Sequence, residues 1–277
     1  MSEQIITSRD NALVKRARAV RDGRLNELIF IEGLRLCEEA AEAALAIQDV
    51  ICAEKMASDE RAARLLYALE SKARHITIVS DSVFSSISDT KTPQGILALA
   101  ARPKTDKSAL LEKGGGVPLL VIMHRINNPS NAGAIVRTAE AAGATAVILT
   151  QGTTDIFSPK ALRGAMGSSF RLPLWTGASF DEALEWCQQH GIKTICASAS
   201  ATAATHTEID WTQASALIVG AEASGLTTQE MAQTDEALRI PMRSPVESLN
   251  VAVAAAIALY EAARQRKVGS SGWAAGS

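Results

Sequence analysis

The sequence predicts an α/β protein of two domains, in which a C-terminal domain with a mainly parallel sheet follows a small α/β domain. The length of 277 residues exceeds that of an average single domain. Short apolar runs alternate with stretches of helical composition, as in proteins whose helices cover a mostly parallel sheet. A segment at 101–116 contains Pro103, four basic residues and three consecutive glycines, which is typical of a flexible connection. We therefore expect a first domain at 1–107, a linker at 108–116, a second domain at 117–268 and a flexible tail at 269–277.

The composition indicates a globular protein with an aliphatic core. Hydrophobic residues make up 47% of the chain and charged residues 21%, whereas aromatic residues make up only 4%. No apolar run reaches the roughly 20 residues of a membrane-spanning helix, and the first residues lack the apolar core of a signal peptide. We therefore expect a cytoplasmic protein with no membrane partner, whose four cysteines are reduced, buried and inert. The formal net charge of −2 gives no global attraction to nucleic acid, so any RNA contact must use local basic patches.

In the first domain the alternation of apolar and helical stretches favours a mainly parallel sheet. The predicted helices lie at 33–45 and 58–69, and the predicted strands lie at 28–31, 49–52, 75–79 and 95–100. The densest basic stretch, at 9–24, would place Lys15, Arg18 and Arg21 on one face of a helix. That face is either solvated or in contact with phosphates, and the sequence leaves both interpretations open.

In the second domain apolar runs predict strands at 118–123, 145–150, 172–175, 193–197, 217–219 and 238–242. Helices are predicted at 132–142, at 180–190 and from 251 onward, with Ser130 or Asn131 as the N-cap of the first. A further short helix is expected to open at Pro159. The strand at 217–219 enters a glycine-bracketed turn, and the strand at 238–242 enters a polar loop. Because ligands in open α/β sheets bind at the carboxyl ends of strands, these two loops form the predicted binding floor.

Several common sites are disfavoured by the residues that they would need. No GxGxxG motif follows a strand, which argues against a dinucleotide-binding fold. The turn at 220–227 has the glycine spacing of a phosphate-binding P-loop, but Leu226 stands where that loop needs its lysine. The four histidines are scattered and the cysteines lack metal-type spacing, so no metal site is predicted.

Polar residues recur where loops meet helices in the second domain, namely Asn128, Asn131, Arg137, Glu222, Ser248 and Asn250. Each of them alone could be a helix cap or a solvated side chain. Arg137 is harder to explain in that way, because it shares one side of its helix with Gly133 and Ala141. An arginine among such small residues has room to reach the adjacent loop.

Three segments together resemble the motifs of the SpoU branch of the SPOUT RNA methyltransferases. The first is NPSNAGAIVRTAEAAG at 128–143, the second is VGAEASGL at 219–226, and the third is IPM at 240–242 with SLNVAVA at 248–254. Three motifs in this order are highly specific, and they extend over the second domain. The first domain resembles, more weakly, the small ribosomal-protein-like domain that binds RNA in many members of the family.

The resemblance implies that the second domain is a trefoil knot and that S-adenosylmethionine is the cofactor, without a metal. It also implies a homodimer, with the last helix and the first-motif helix at the interface. Thr150 and Ser198, taken as the ends of neighbouring strands, would line the same pocket as the loops. The implied cofactor-binding residues are Thr150, Ser198, Val219, Gly220, Ala221, Glu222, Gly225, Ile240, Met242, Ser248 and Leu249.

By the same resemblance the reaction is methyl transfer to a ribose 2′-hydroxyl of RNA, catalysed by Asn131, Arg137, Glu222, Ser248 and Asn250. Arg137 would act on the hydroxyl and the adjacent phosphate, either as a base or as an electrostatic clamp. The clamp is the more conservative role, because a guanidinium does not lose its proton near neutral pH. Asn131 and Glu222 would orient the arginine and the ribose, and Ser248 and Asn250 would close the pocket.

Ribosomal RNA is the favoured substrate, because a separate front domain suits a structured target, and transfer RNA is the alternative. The requirement for a 2′-hydroxyl excludes DNA. Two other classes remain open on the sequence. One is a non-catalytic RNA-binding protein on the same scaffold, against which the intact polar residues argue. The other is a methyltransferase that modifies a base.

Overall fold

The computed structural model describes residues 5–111, 116–198, 200, 202–222 and 224–266, with the backbone alone at 57 and 58. The chain divides into two compact units. The first comprises the described parts of Met1–Lys104 and Asp155–Arg171, and the second comprises those of Thr105–Thr154 and Leu172–Ser277. Most of the predicted glycine run and the whole predicted tail at 269–277 lie outside the described residues. No helix of the described part is both long and apolar enough to cross a membrane.

The first unit begins with alternating helices and strands, which confirms the predicted elements with small shifts of their ends. Helix α4 was not predicted, because seven residues are too few for a helical period to show. In chain order the elements are α1 (Ala12–Arg21), β1 (Leu28–Glu32), α2 (Leu34–Glu42), β2 (Ile47–Ala53), α3 (Glu60–Leu69), β3 (His75–Val79), α4 (Asp81–Ile87) and β4 (Ile96–Ala101).

The sheet of the first unit is mixed, so the prediction that it is mainly parallel is wrong. Its strand order is β1-β4-β2-β3. Strand β4 lies between β1 and β2 and runs antiparallel to both, whereas β2 and β3 are parallel. An alternation of strands and helices does not show where the last strand inserts, and for that reason the sequence could not reveal this order.

The basic side chains of α1 are occupied mainly by contacts inside the first unit. Arg18 donates a hydrogen bond to the hydroxyl of Ser86 at 2.6 Å. Arg21 donates to three backbone carbonyl oxygens at the end of α4, at 3.2–3.3 Å. Lys15 pairs with Asp10 at 3.1 Å. The predicted basic face therefore serves mainly to hold α1 against α4, and its interpretation as a phosphate-contacting patch loses support.

The chain beyond Lys104 alternates in the same way, and the predicted strands and helices are again confirmed with shifted ends. Strand β9 and the helices α7 and α9 were not predicted, because each is too short to carry a period. The elements are β5 (Leu119–Met123), α5 (Pro129–Ala141), β6 (Ala146–Thr150), α6 (Pro159–Ala165), α7 (Ser168–Arg171), β7 (Leu174–Ala178), α8 (Phe180–Gln189), β8 (Lys193–Ala197), β9 (Ala204–Thr205), β10 (Ser215–Val219), α9 (Thr228–Ala232), β11 (Glu236–Arg239) and α10 (Val251–Gln265).

The second unit contains a seven-stranded sheet among its described residues, and all of its strand pairs are parallel, as predicted. The order is β7-β6-β5-β10-β8-β11-β9. Strands β5, β6 and β10 are buried along their whole length, as expected for strands covered on both faces. The order of the strands reverses between β5 and β10, and such a switch point is where open parallel sheets bind ligands.

Helix α5 begins earlier than predicted. Its N-cap is Asn128, whose side-chain oxygen accepts a hydrogen bond from the backbone N–H of Ser130 at 2.9 Å. Pro129 occupies the first helical position, which its fixed φ favours. Ser130 and Asn131, the predicted caps, therefore lie inside the first turn. The side chain of Asn131 is not needed as a cap and is available for the contacts described below.

The segment Asp155–Arg171 follows β6 in the chain but packs within the first unit. Its helix α6 lies against β1. The carboxylate of Asp155 accepts two hydrogen bonds from Arg102, at 2.8 and 2.9 Å, and Arg163 pairs with Asp89 at 2.7 Å. The first unit is thus built from two separate stretches of the chain, and a deletion of residues 1–104 would remove the packing partners of α6.

All four cysteines are free and buried, as predicted. Burial raises the pKa of Cys52 to about 11 and that of Cys187 to about 12. Because the thiolate is the reactive form, these cysteines are inert near neutral pH.

Candidate active site

A pocket of about 450 Å³ lies at the carboxyl ends of three neighbouring strands, β8, β10 and β11. The rest of its wall comes from the segments after β8 and β10, from α9, from the segment between β11 and α10 and from the first turn of α10. A cavity of this size suits a small-molecule ligand. Its described lining residues are Ala197, Ser198, Ser200, Val219, Gly220, Ala221, Glu222, Ser224, Gly225, Leu226, Met231, Leu238, Ile240, Met242, Glu247, Ser248, Leu249, Val251 and Ala254.

The loop after β10 turns tightly back on itself. The N–H of Gly225 donates to the carbonyl oxygen of Ala221 at 2.8 Å, and Gly225 has a left-handed φ of +61°. A Cβ atom at Gly220 would lie 2.6 Å from the carbonyl carbon of Gly225 and 2.7 Å from the nitrogen of Leu226. Gly220 is therefore required by the close approach of the opposite side of the loop.

The carboxylate of Glu222 joins this loop to the loop after β5. It accepts hydrogen bonds from the backbone N–H groups of Asn127 at 3.3 Å and Asn128 at 3.1 Å, and from Nδ2 of Asn131 at 3.2 Å. Burial alone would raise the pKa of Glu222. Hydrogen bonds from its own backbone and from these three residues outweigh the effect of burial, so the net result is a lowered pKa. The carboxylate therefore stays ionised at neutral pH and holds the two loops together.

A second amide extends this link to the last helix. Nδ2 of Asn250 donates to Oδ1 of Asn131 at 3.1 Å, while Oδ1 of Asn250 caps the N-terminus of α10. A continuous chain of hydrogen bonds, from Glu222 through Asn131 to Asn250, thus connects all three motifs. Ser248 lines the same pocket as Glu222. The structure therefore brings together four of the five predicted catalytic residues.

Arg137 is not part of this cluster. It lies on α5 with an exposed side chain and is absent from the pocket lining. Arg137 forms no hydrogen bond or ion pair with any residue in the described ranges. Its guanidinium is therefore available to a ligand or to a second copy of the chain.

A partly buried polar cluster that was not predicted from the sequence supports the same two loops. Nδ1 of His124 lies 2.9 Å from Oγ1 of Thr150, and Nε2 lies 3.1 Å from Oε1 of Glu230. Nη2 of Arg125 donates to both oxygens of Glu230, which also forms a capping box with Thr227 at the start of α9. Burial, aided by Arg125 and opposed by Glu230, lowers the pKa of His124, so the ring is neutral at pH 7. No sequence spacing signals these contacts, because the partners are more than a hundred residues apart.

Ten of the eleven predicted cofactor-binding residues line the pocket, and their binding of the cofactor stays a prediction. Thr150 is the exception, because its side chain is buried and its hydroxyl contacts His124. The expectation that Thr150 and Ser198 end neighbouring strands is wrong, since β5 and β10 lie between β6 and β8. The sequence showed that both residues end strands but not the order of the strands.

Other lining residues were not predicted. Glu247 and Leu226 are adjacent to predicted residues in the sequence, and this adjacency could have identified them. Met231 comes from the unpredicted helix α9, so no signal pointed to it. The complete set of missed lining residues is Ala197, Ser200, Ser224, Leu226, Met231, Leu238, Glu247, Val251 and Ala254.

Two known protein families match this chain, one in each part of it. Residues 118–260 match the SpoU rRNA Methylase family, and residues 11–98 match the MRM3-like substrate binding domain. The first match covers more than half of the chain, and the chain belongs to the SpoU rRNA methylase family. It is therefore an S-adenosylmethionine-dependent RNA ribose 2′-O-methyltransferase.

Individual relatives are similar over most of their length. The 23S rRNA (guanosine(2553)-2′-O)-methyltransferase RlmP of Bacillus subtilis is 33% identical over 233 residues, which is 83% of this chain and 86% of the relative. The AdoMet-bound rRNA methyltransferase from Sinorhizobium meliloti superposes with a TM-score of 0.82 at 26% identity, covering 94% of this chain and 97% of the other. The SpoU methyltransferase AviRb from Streptomyces viridochromogenes, in complex with AdoMet, has a TM-score of 0.83 at 26% identity, covering 94% and 99%. These likenesses confirm the predicted fold class.

The residues that line the pocket suit S-adenosylmethionine, the cofactor of this family. Val219, Leu226 and Leu238 are almost fully buried and give it an apolar floor that suits an adenine ring. The described residues of the loop, at 219–222 and 224–225, can present backbone groups to a ligand at close range, because Gly220 carries no side chain. Among the described residues, no group of histidine, cysteine and acidic side chains could hold a metal ion.

Proposed function

We propose that this enzyme methylates a ribose 2′-hydroxyl of ribosomal RNA, and that the residues predicted from the motifs form its site. The observation that carries the proposal is the chain of hydrogen bonds from Glu222 through Asn131 to Asn250, which borders the pocket and connects the three motifs. The similarity to the Bacillus subtilis methyltransferase, whose name gives 23S rRNA as its substrate, supports the ribosomal substrate.

Bound S-adenosylmethionine supplies a methyl group that is activated by its sulfonium. The loop from Val219 to Gly225 and the residues Ser248 and Leu249 hold the cofactor in the pocket. Glu222 and Asn131 fix the position of the loop after β5, at which the ribose is presented. Such fixed positioning would align the hydroxyl oxygen with the methyl carbon. The hydroxyl proton would pass to water as the oxygen–carbon bond forms and the sulfur–carbon bond breaks.

Arg137 would supply a positive charge, which the described lining of the pocket does not contain. A guanidinium can donate to the 2′-hydroxyl oxygen and to the neighbouring phosphate together, which stabilises the negative charge that develops as the oxygen attacks. Because Arg137 is exposed on α5 and does not line the pocket of its own chain, we propose that it acts on the pocket of a second copy.

The proposed homodimer would use the face formed by α5 and α10, which pack against each other. On α10 the side chains of Val253 and Tyr260 are 48% and 44% exposed, which is high for large apolar groups and suits burial against a second copy. Sedimentation equilibrium tests the proposed homodimer, and a monomer at micromolar concentration would contradict it.

We also infer from the family that residues 117–268 form a trefoil knot. An experimental structure in which the chain passes through no loop of its own backbone would refute the knot. A cytoplasmic location is a further inference, and fractionation of cells tests it.

The reaction itself is tested with methyl-labelled S-adenosylmethionine and ribosomal RNA from a strain that lacks this gene. We expect the label in one 2′-O-methylnucleoside after complete digestion of the RNA. Label in a methylated base would identify a base methyltransferase, and label in transfer RNA alone would favour the alternative substrate. If the protein binds the cofactor but transfers no methyl group to any cellular RNA, the result would indicate a non-catalytic RNA-binding protein.

We further propose that the first domain, at 1–107 in the sequence-based division and joined in space by Asp155–Arg171, binds the RNA. The match of residues 11–98 to a substrate-binding domain supports this proposal. The prediction is tested on the full chain, because deletion of the first domain would also remove the packing partners of α6. Ultraviolet cross-linking to ribosomal RNA, followed by mass spectrometry, should give cross-linked peptides from residues 11–98. Cross-links confined to residues 172–266 would contradict an RNA-binding role for this domain.

A further inference from the structure

The ionisable side chains that line the pocket are all acidic. Among its described lining residues they are Glu222 and Glu247, and that set contains no lysine, arginine or histidine. The pocket therefore presents negative charge to its ligand, and S-adenosylmethionine is a net cation, because its sulfonium and α-ammonium together outweigh its single α-carboxylate. Complementary charge of this kind favours a cationic ligand.

The two carboxylates are not equivalent. Glu222 already accepts hydrogen bonds from Asn127, Asn128 and Asn131, so its oxygens are committed to holding two loops together. Glu247 forms no hydrogen bond or ion pair with any residue of the described ranges, and its side chain is exposed. Glu247 is therefore the carboxylate that remains available to a ligand.

The burial of the lining residues places Glu247 at one end of the pocket. Val219 and Leu238 are each 1% exposed and form the apolar floor, where a flat apolar ring is best buried. Glu247, Ser248 and Leu249 are exposed and form the rim. A ligand with an adenine at one end and an amino acid at the other would bury its adenine on the floor and leave its amino acid at the rim.

We propose that Glu247 binds the α-ammonium group of the methionine part of S-adenosylmethionine. This inference rests on the proposed function, because it takes the pocket to be the cofactor site. The contact is a charge-assisted hydrogen bond at a solvent-exposed rim, where ion pairs contribute modestly. It adds affinity for every ligand that carries the amino acid, including the product S-adenosylhomocysteine.

The test compares Glu247→Gln with the wild-type full chain by calorimetric titration, without RNA and without turnover. The ligands are S-adenosylmethionine, S-adenosylhomocysteine and 5′-methylthioadenosine, the last of which has no amino acid. We expect Glu247→Gln to weaken the binding of the first two by about two- to fivefold and to leave the binding of the third unchanged. The matched control is Glu185→Gln, since Glu185 is an exposed glutamate of the same unit that does not line the pocket.

Each result then has one meaning. Unchanged affinity of Glu247→Gln for S-adenosylmethionine overturns the inference, and so does an equal loss for all three ligands, which would indicate a distorted pocket. A loss for S-adenosylmethionine without a loss for S-adenosylhomocysteine also overturns it, because the carboxylate would then face the sulfonium. Wild-type protein that binds none of the three ligands would instead refute the proposed function.

Discussion

Gly220→Val should reduce the affinity for S-adenosylmethionine by roughly 100-fold or more, which corresponds to about 2.7 kcal/mol. The added Cβ would lie 2.5 Å from Cδ1 of Leu226, 2.6 Å from the carbonyl carbon of Gly225 and 2.7 Å from the nitrogen of Leu226. A side-chain carbon can rotate away, but the two backbone atoms cannot move without opening the loop. Because that loop is part of the pocket wall, the pocket is lost together with the tight turn.

Calorimetric titration measures the effect, and Gly116→Val is the matched control. Apart from the neighbours of Gly116 in the chain, no described residue has an atom within 4 Å of the Cβ position there, so this variant adds the same side chain away from the pocket and should bind as the wild type does. Gly220→Ala, with the Cβ alone, should already weaken binding, and circular dichroism shows whether both variants fold. Wild-type affinity in a folded Gly220→Val protein would remove this loop from the cofactor site.

The sequence predicted the second unit better than the first, for a physical reason. Fully buried parallel strands appear as continuous apolar runs, and β5, β6 and β10 have that pattern. The first unit ends with β4, whose run 96–101 is equally apolar, but its insertion between β1 and β2 is decided by packing and not by its composition. A strand can therefore be located from the sequence while its neighbours and its direction cannot.

The candidate site shows the same limit on a smaller scale. The motif residues Asn131, Glu222 and Asn250 were identified from the resemblance, and the structure joins them by hydrogen bonds. The cluster of His124, Arg125 and Glu230 was not identified, because a lone histidine gives no signal and its partner comes from the distant helix α9. The basic face of α1 was overestimated as a phosphate-binding surface. The sequence shows its charges but not the carbonyl oxygens that accept hydrogen bonds from Arg21.

Arg137→Ala should lower the turnover number by roughly 100- to 1,000-fold, as the loss of a preorganised charge donor at a reacting oxygen does. The affinity for S-adenosylmethionine should change less than about twofold, because Arg137 does not line the pocket. Arg137→Lys should recover little activity, since an ammonium lacks the planar pair of donors that grips hydroxyl and phosphate together. The matched control is Arg264→Ala, which removes an arginine that is exposed on α10 and pairs with Glu261 at 2.7 Å.

A structural role for Arg137 predicts a different outcome. If the side chain mainly stabilised the fold or an interface, Arg137→Ala would lower the melting temperature or the dimer content, and activity would fall only in proportion. Single-turnover rates, measured beside melting temperature and sedimentation, separate the two cases. A stable variant with a near-wild-type single-turnover rate would end the catalytic assignment.

Mixed dimers decide whether Arg137 acts on its own pocket or on that of the second copy. A dimer of one Arg137→Ala chain and one Gly220→Val chain has one intact pocket, which belongs to the chain without the arginine. If the arginine comes from the other copy, this dimer has one complete site and should show about half of the wild-type turnover, because a two-fold dimer has two equivalent sites. If the arginine acts within its own chain, the mixed dimer has no complete site and is as inactive as either parent. Tandem purification through a different tag on each chain gives the mixed dimer free of its parents. Activity restored in this dimer would locate the catalytic arginine across the interface, and its absence would restrict Arg137 to its own chain.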